Sequence, residues 1–304
     1  MAHFSEINYK NLGKCICFTN GVCEALVSVD VGPRIVSYRL LGKDNMLAEN
    51  EVDFKTPTNE IFSVFGDLGV HKHFGGHRLW ASPEDYPKTH FPDNHPCEYE
   101  VDGEKLVVIQ MEQPFSKIQT SMEMYFDNSG DFVINHFIKN VGKEEKELAL
   151  WPITVMDAGG VSVVPMRQDG PRFLHNRRFS FWTYSDLTDE RFKLGKKYVV
   201  LKQSAETKAF KFGMDCTEGY AAYFNHGCAF VKFFEFDSDG KYPDGGCNYE
   251  SYTGGRTFEM ESLSPLFVLK EGDKVSHREK WRLKECTLQG LDDELIDKTL
   301  NEIL

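Results

Sequence analysis

The feature that most constrains this chain is a succession of extended runs closed by tight-turn residues, with no sustained helical period until the end. KCICFT and GVCEALVSV meet at Asn20-Gly21. CEYEV and KLVVIQME flank Asp102-Gly103, and KIQTSMEMYF and DFVINHFIKN flank Asn128-Ser129-Gly130-Asp131. Asn-Gly and Asp-Gly supply the positive φ that two-residue hairpin turns need, so each pair of runs reads as antiparallel neighbours. KELALWPITVM, KYVVLK, KAFKFGM, GYAAYF, CAFVKFFEF, NYESYTGGRTFEMESLSPLFVLK and KVSHREKWRLK continue the pattern. Strand after strand without intervening helices implies an all-β, antiparallel architecture. Only LDDELIDKTLNEIL sets Leu291, Leu295, Ile296, Leu300 and Ile303 near helical spacing behind an acidic first turn, which predicts a short helix over about 291–304. With no internal repeat and no linker, one domain over 1–304 is expected.

Charge narrows the partners. Against 35 basic side chains stand 47 acidic ones, a net charge of -12, so the average field repels nucleic acid and anionic membrane. The 24 Phe, 12 Tyr and 4 Trp favour strands and suit stacking on sugar rings or bases. Eight cysteines are scattered without a CxxC pair, and Cys15 and Cys17, two apart, share a strand face rather than a zinc knuckle, so reduced thiols are expected. MAHFSEINYKNLGK has no apolar run flanked by basic residues, no segment reaches the apolar length of a membrane span, and no Asn-x-Ser/Thr sequon occurs; a cytoplasmic location without a signal peptide is the expectation.

Two regions break the strand pattern. Residues 51–96 are rich in Gly, Pro, His and Asp, and inside them GDLGVHKHFGGHRLWASPE gathers His71, His73, His77, Arg78, Trp80 and Glu84 around Gly75-Gly76. Long irregular inserts in compact domains tend to be functional, and this composition suits a pocket wall: donors and acceptors, a flat indole, and glycines that admit close backbone approach. Residues 166–197 carry Arg167, Arg172, Arg177, Arg178 and Arg191 among aromatics, a composition shared by loops that grip anions, ordinary packed loops and dimer contacts. Arg34, after Gly32-Pro33, points either into a cleft or into solvent beside a turn. Glu259 and Glu261 share one strand face, with Phe258 and Met260 on the other; by spacing alone that face is either solvated or a site. His71 and His73, two apart, are weak metal-ligand candidates, and FDSDGKYPDGG reads as a turn whose glycine is misplaced for an EF-hand. Dinucleotide-binding, phosphate-loop, serine-hydrolase and HExxH signatures are missing.

GPRIVSYRLLGKDNML, HKHFGGHRLW and FEMESLSPLFVLKEGDKVSHREKWRL together resemble, in order, segments of the galactose mutarotase-like superfamily, which includes the aldose 1-epimerases. A closer likeness is to an uncharacterised branch with Gly-Gly-x-Arg-Leu-Trp-x-x-Pro-Glu and Glu-x-Glu-x-x-x-Pro segments. The resemblance implies a β-supersandwich with a sugar cleft and an isomerase of carbohydrate metabolism acting by Glu/His acid–base chemistry. Glu261 would be the base, with Glu259 next in line, and His73 or His77 the acid. Arg34 and Arg78 would hold hydroxyls or a carboxylate, and Trp80 and Trp151 would stack on the ring, with Glu84 and Asp157 also binding substrate. No cofactor and no metal are implied. The partner would be a monosaccharide or modified sugar, anionic if the loop arginines reach it, and the protein a monomer or homodimer. One departure stands out. Epimerases carry a second histidine after the middle strands, whereas LALWPITVMDAGG has none and places Trp151, Thr154 and Asp157 there. Two rivals therefore remain: a non-catalytic sugar-binding or regulatory protein on the same fold, and a glycoside lyase or hydrolase.

Overall fold

The structure is a computed structural model that describes residues 2–50, 60–170 and 172–304. Its strands form two antiparallel sheets. The first runs in the order His3–Asn8, Lys14–Thr19, Cys23–Ser28, Arg34–Leu40, Gly76–Ser82, Lys146–Met156, Thr257–Ser262, Tyr249–Gly254, Phe210–Met214, Phe179–Phe181, with Phe267–Leu269 also on Lys146–Met156. The second runs Phe192–Leu194, Tyr198–Lys202, Val161–Pro165, Tyr220–Asn225, Cys228–Phe234, Lys274–Glu285, Phe132–Asn140, Ile118–Phe126, Lys105–Ile109, Glu98–Asp102. The hairpins expected at Asn20-Gly21, Asp102-Gly103 and 128–131 all join antiparallel neighbours.

Period-two alternation decides what each face does. Phe18, Tyr38, Met156, Phe258 and Met260 of the first sheet meet Phe132, Phe230 and Trp281 of the second in the main core, all of them fully buried. The opposite face of the second sheet is covered by the helix Asp293–Ile303, whose Ile296, Leu300 and Ile303 pack on Val163, Val200, Ala222 and Val231. Asp292 caps that helix by accepting from the Leu295 amide, as its acidic start suggests. No helix among the described residues is long and apolar enough to cross a membrane.

The irregular insert is less irregular than its composition implies. Within 51–96, Gly76–Ser82 is a strand in the middle of the first sheet, paired with Lys146–Met156 from Gly76↔Val155 to Ser82↔Ala149. Residues 51–59 lie outside the described part. Residues 166–197 hold two short edge strands, Phe179–Phe181 and Phe192–Leu194. The strands His3–Asn8 and Val161–Pro165 carry no clear turn-flanked alternation and are additions to the expected set.

Candidate functional site

The outer face of the first sheet, turned away from the second, gathers the polar side chains. Gly75 and Gly76 open it. Both have positive φ (80° and 66°), and a Cβ on either would collide with the carbonyl oxygen of Ala48 or Ile35. Glycine thus lets the chain turn into the strand while its backbone presses on its neighbours. Gly76→Ala is expected to cost about 1–3 kcal/mol through the strained backbone, read as a lower urea midpoint; an unchanged midpoint would contradict this account of the turn.

Past that turn, alternate residues diverge. Arg78 and Trp80 face outward, whereas His77 and Leu79 face the second sheet. The next strand places Trp151 directly opposite Trp80, with ring centroids 5.6 Å apart. Thr257–Ser262 follows, presenting Glu259 and Glu261 outward, with Glu261 beside Ile153. Arg78 donates to Glu259 Oε1 at 3.2 Å and stacks on Trp80 at 4.3 Å. Glu261 is fully buried; its Oε2 accepts from Trp151 Nε1 at 2.7 Å and from Lys211 Nζ at 2.8 Å, while its Oε1 accepts no hydrogen bond from the described residues.

Lys211 is the hub. Its ammonium lies 2.7 Å from Glu250 Oε2 and over the rings of Trp151 (4.9 Å) and Trp182 (4.6 Å). Against the cost of burial, the Glu261 and Glu250 charges hold this lysine above the usual lysine range. Burial pushes the Glu259 carboxyl up, with the Arg78 charge opposing it. At the rim, Glu84 Oε1 lies 2.6 Å from His90 Nε2, a contact that holds the Glu84 carboxyl below its ordinary value. The His90 ring packs on Trp80 at 4.4 Å, and His71 lies 5.3 Å from Trp80 and 5.0 Å from His73. Arg34 is buried rather than solvated: it donates to the Gly75 carbonyl at 2.7 Å and pairs with Asp93.

Two expected site residues lie elsewhere. His77 is sealed between the sheets. The Nδ1–H of His136 faces the His277 carbonyl and must donate to it, so His136 Nε2 accepts from His77 Nε2–H at 2.7 Å and His77 Nδ1 accepts from Thr154 Oγ1 at 2.8 Å. The alternation of the strand Gly76–Ser82 sets His77 on the inner face, opposite the face that carries Arg78 and Trp80. Asp157 sits past the end of its strand, 2.7 Å from His226 Nε2, away from the tryptophans and glutamates. Three of the five loop arginines are engaged locally: Arg167 with Asp169, Arg191 with Asp189, and Arg177 donating to the Arg167 carbonyl.

Lys211, Glu250 and His90 escaped the sequence reading. Glu250 was within reach of it, because counting back across the Gly254-Gly255 turn from Glu261 lands on Glu250 in the paired register. Among the described residues, the grouping of metal-ligand type is His77, His136 and Glu279, whose ligand atoms lie within 4.8 Å of one another between the sheets. There Lys232 already supplies a cation to Glu279 at 2.9 Å, and both histidines have protein partners.

No protein-family description matches the chain, and no curated protein does. Solved structures do. A galactose mutarotase-like protein from Lactobacillus casei ATCC 334 superposes with a TM-score of 0.56 at 10% identity, over 89% of this chain and 100% of that one. A galactose mutarotase-like protein from Clostridium acetobutylicum gives 0.54 at 13% identity, over 94% and 98% of the two chains. An aldose epimerase homologue from C. elegans gives 0.53 at 10% identity, over 94% and 100%. Two antiparallel sheets, one short C-terminal helix and these superpositions agree: the chain has the galactose mutarotase-like fold.

Proposed function

We propose that this protein is a sugar epimerase or mutarotase whose base is Glu261. The observation that carries this reading is a fully buried carboxylate on the outer face of a mutarotase-like sheet. One of its oxygens is held by Trp151 and Lys211 and the other accepts no hydrogen bond from the described residues. Epimerisation at the anomeric carbon needs a base for the anomeric hydroxyl and an acid for the ring oxygen. Glu261 Oε1 would take the hydroxyl proton. Trp80 and Trp151 offer apolar faces to the ring, and Arg78, Glu259 and Glu84 offer donors and acceptors to its hydroxyls. Arg34, Arg78 and Lys211 are each already matched by a carboxylate, which favours an uncharged sugar over an anionic one.

The test is NMR or polarimetry of α-glucose, α-galactose and a panel that includes uronic acids and sugar phosphates. Wild type should interconvert at least one sugar faster than buffer, and Glu261→Gln should lose about 10²–10⁴-fold in kcat. If no sugar on the panel is accelerated, the proposal fails. A second reading, a non-catalytic sugar-binding protein, draws on Trp151 standing where epimerases present a histidine. It expects saturable calorimetric binding without turnover. Cleavage of an oligosaccharide, seen by chromatography, would point instead to a hydrolase or lyase.

A further inference from the structure

We propose that Glu250 delivers the proton to the ring oxygen, in the role that epimerases give to their second histidine; this rests on the epimerase reading above. Glu250 pairs with Glu261 across the hairpin of Tyr249–Gly254 and Thr257–Ser262, so both carboxyls project from the same face at the same depth, and both are fully buried. Lys211 Nζ bridges them, 2.7 Å from Glu250 Oε2 and 2.8 Å from Glu261 Oε2. The two oxygens that hold Lys211 are therefore at most about 5.5 Å apart, which puts both carboxyls within the reach of one sugar ring.

Charge decides where the proton sits. Glu250 and Glu261 share the single ammonium of Lys211, while the Arg78 guanidinium is engaged by Glu259. Two fully buried carboxyls that share one ammonium bind a proton rather than hold the excess negative charge. Trp151 and Lys211 both donate to Glu261, whereas the donor beside Glu250 is Lys211. Burial above all, with the Glu261 and Asp244 charges adding to it against Lys211, raises the Glu250 carboxyl well above the carboxylate range. The nearby imidazoles are poor donors: burial and the Arg78 charge hold His71 well below its ordinary value and His73 down to about 4, so both are neutral at pH 7.

The step balances within the site. Glu261 takes the O1 proton as the C1=O bond forms. The C1–O5 bond breaks with its electron pair on O5, and O5 takes the Glu250 proton. Glu250 is left as the carboxylate and Glu261 as the acid, with Lys211 still between them, so the net charge is unchanged. After rotation about C1–C2, O5 attacks the other face of C1; Glu250 recovers its proton from O5 and Glu261 returns its own to O1.

The experiment combines ¹³C NMR of the full chain, labelled at the glutamate carboxyls, with mutarotation kinetics on α-D-galactose and α-D-glucose. A neutral-carboxyl resonance is expected at pH 7 in wild type and absent in Glu250→Gln. That variant should lose about 10²–10⁴-fold in kcat with KM changed less than about threefold, and Glu250→Asp should recover part of the loss. Thermal unfolding of each variant separates misfolding from lost chemistry. An ionised Glu250 at pH 7, or a folded Glu250→Gln within about threefold of wild-type kcat, overturns the proposal. If wild type accelerates neither of these nor any other sugar of the panel above while the neutral resonance is present, the epimerase reading is what fails, and the donor role goes with it.

Discussion

Lys232→Met is expected to lower the free energy of unfolding by about 3–5 kcal/mol, the cost of leaving one member of a buried ion pair alone. Lys232 and Glu279 both have zero side-chain exposure, and they meet at 2.9 Å between the two sheets. Around them the polar groups are closed into a network. Lys232 also donates to the Met260 carbonyl, Ser262 Oγ–H and Trp281 Nε1–H donate to Glu279, and His277 Nε2–H donates to Ser262. Methionine fills much of the lysine's volume, so the loss would come from the orphaned carboxylate rather than from a cavity. The double variant Lys232→Met/Glu279→Gln removes both charges and should recover a substantial part of the loss, because a neutral amide is far cheaper to bury than a carboxylate. Urea unfolding of the two singles and the double closes the cycle. A coupling under about 0.5 kcal/mol would mean that the pair behaves as two independent sites.

This network also marks where sequence reading stops. The hairpins were legible because their turns are local chemistry: Asn20-Gly21 and Asp102-Gly103 admit the backbone angles that the hairpins need, whatever surrounds them. The closing helix was legible from Ile296, Leu300 and Ile303, since one apolar stripe needs one partner surface. The shared face of Glu259 and Glu261 followed from period two. What that face met did not follow, because Lys211 and Trp151 come from other strands, 50 and 110 residues away from Glu261 in sequence. His77 shows the converse. A histidine beside two glycines and an arginine looks like pocket chemistry, yet its partners His136 and Thr154 sit on two other strands and hold it inside. Neighbouring residues His77 and Arg78 serve opposite faces of one sheet, and only the register of Gly76–Ser82 tells them apart. Glu250 lay between these cases: its place opposite Glu261 was countable across a short hairpin, but its value as a proton donor depends on the crowd of carboxyls that the fold assembles.

Acid should unfold this protein early, with a net loss of about 3–5 kcal/mol between pH 7 and pH 5. Burial holds His136 and His277 down to about 3 and His77 well below its ordinary value, with the neighbouring His136 charge adding to the effect on His77. In the unfolded chain these groups titrate near about 6.5. Below that pH the unfolded state takes up protons that the folded state refuses. Their contribution is therefore fully present above about pH 6.5, and it drains away as pH falls toward about 3. His71 and His73 act in the same direction. Glu250 and Glu259 act in the opposite one: their folded carboxyls keep protons that the unfolded chain releases above about 4.5, so they favour the folded state increasingly as pH drops from neutrality. Burial also raises the carboxyls of Asp215 and Asp244, which act with the two glutamates; three sealed histidines, with two more beside the outer face, still outnumber these four carboxyls, and the balance runs against stability in acid. Urea midpoints at pH 7, 6 and 5 should fall in sequence, and equal midpoints would sink the argument. His136→Gln removes one of the protons taken up on unfolding, so its stability should depend on pH less steeply by about 1.4 kcal/mol per unit near pH 5. That change in slope is a reading that a uniform loss of packing would not produce.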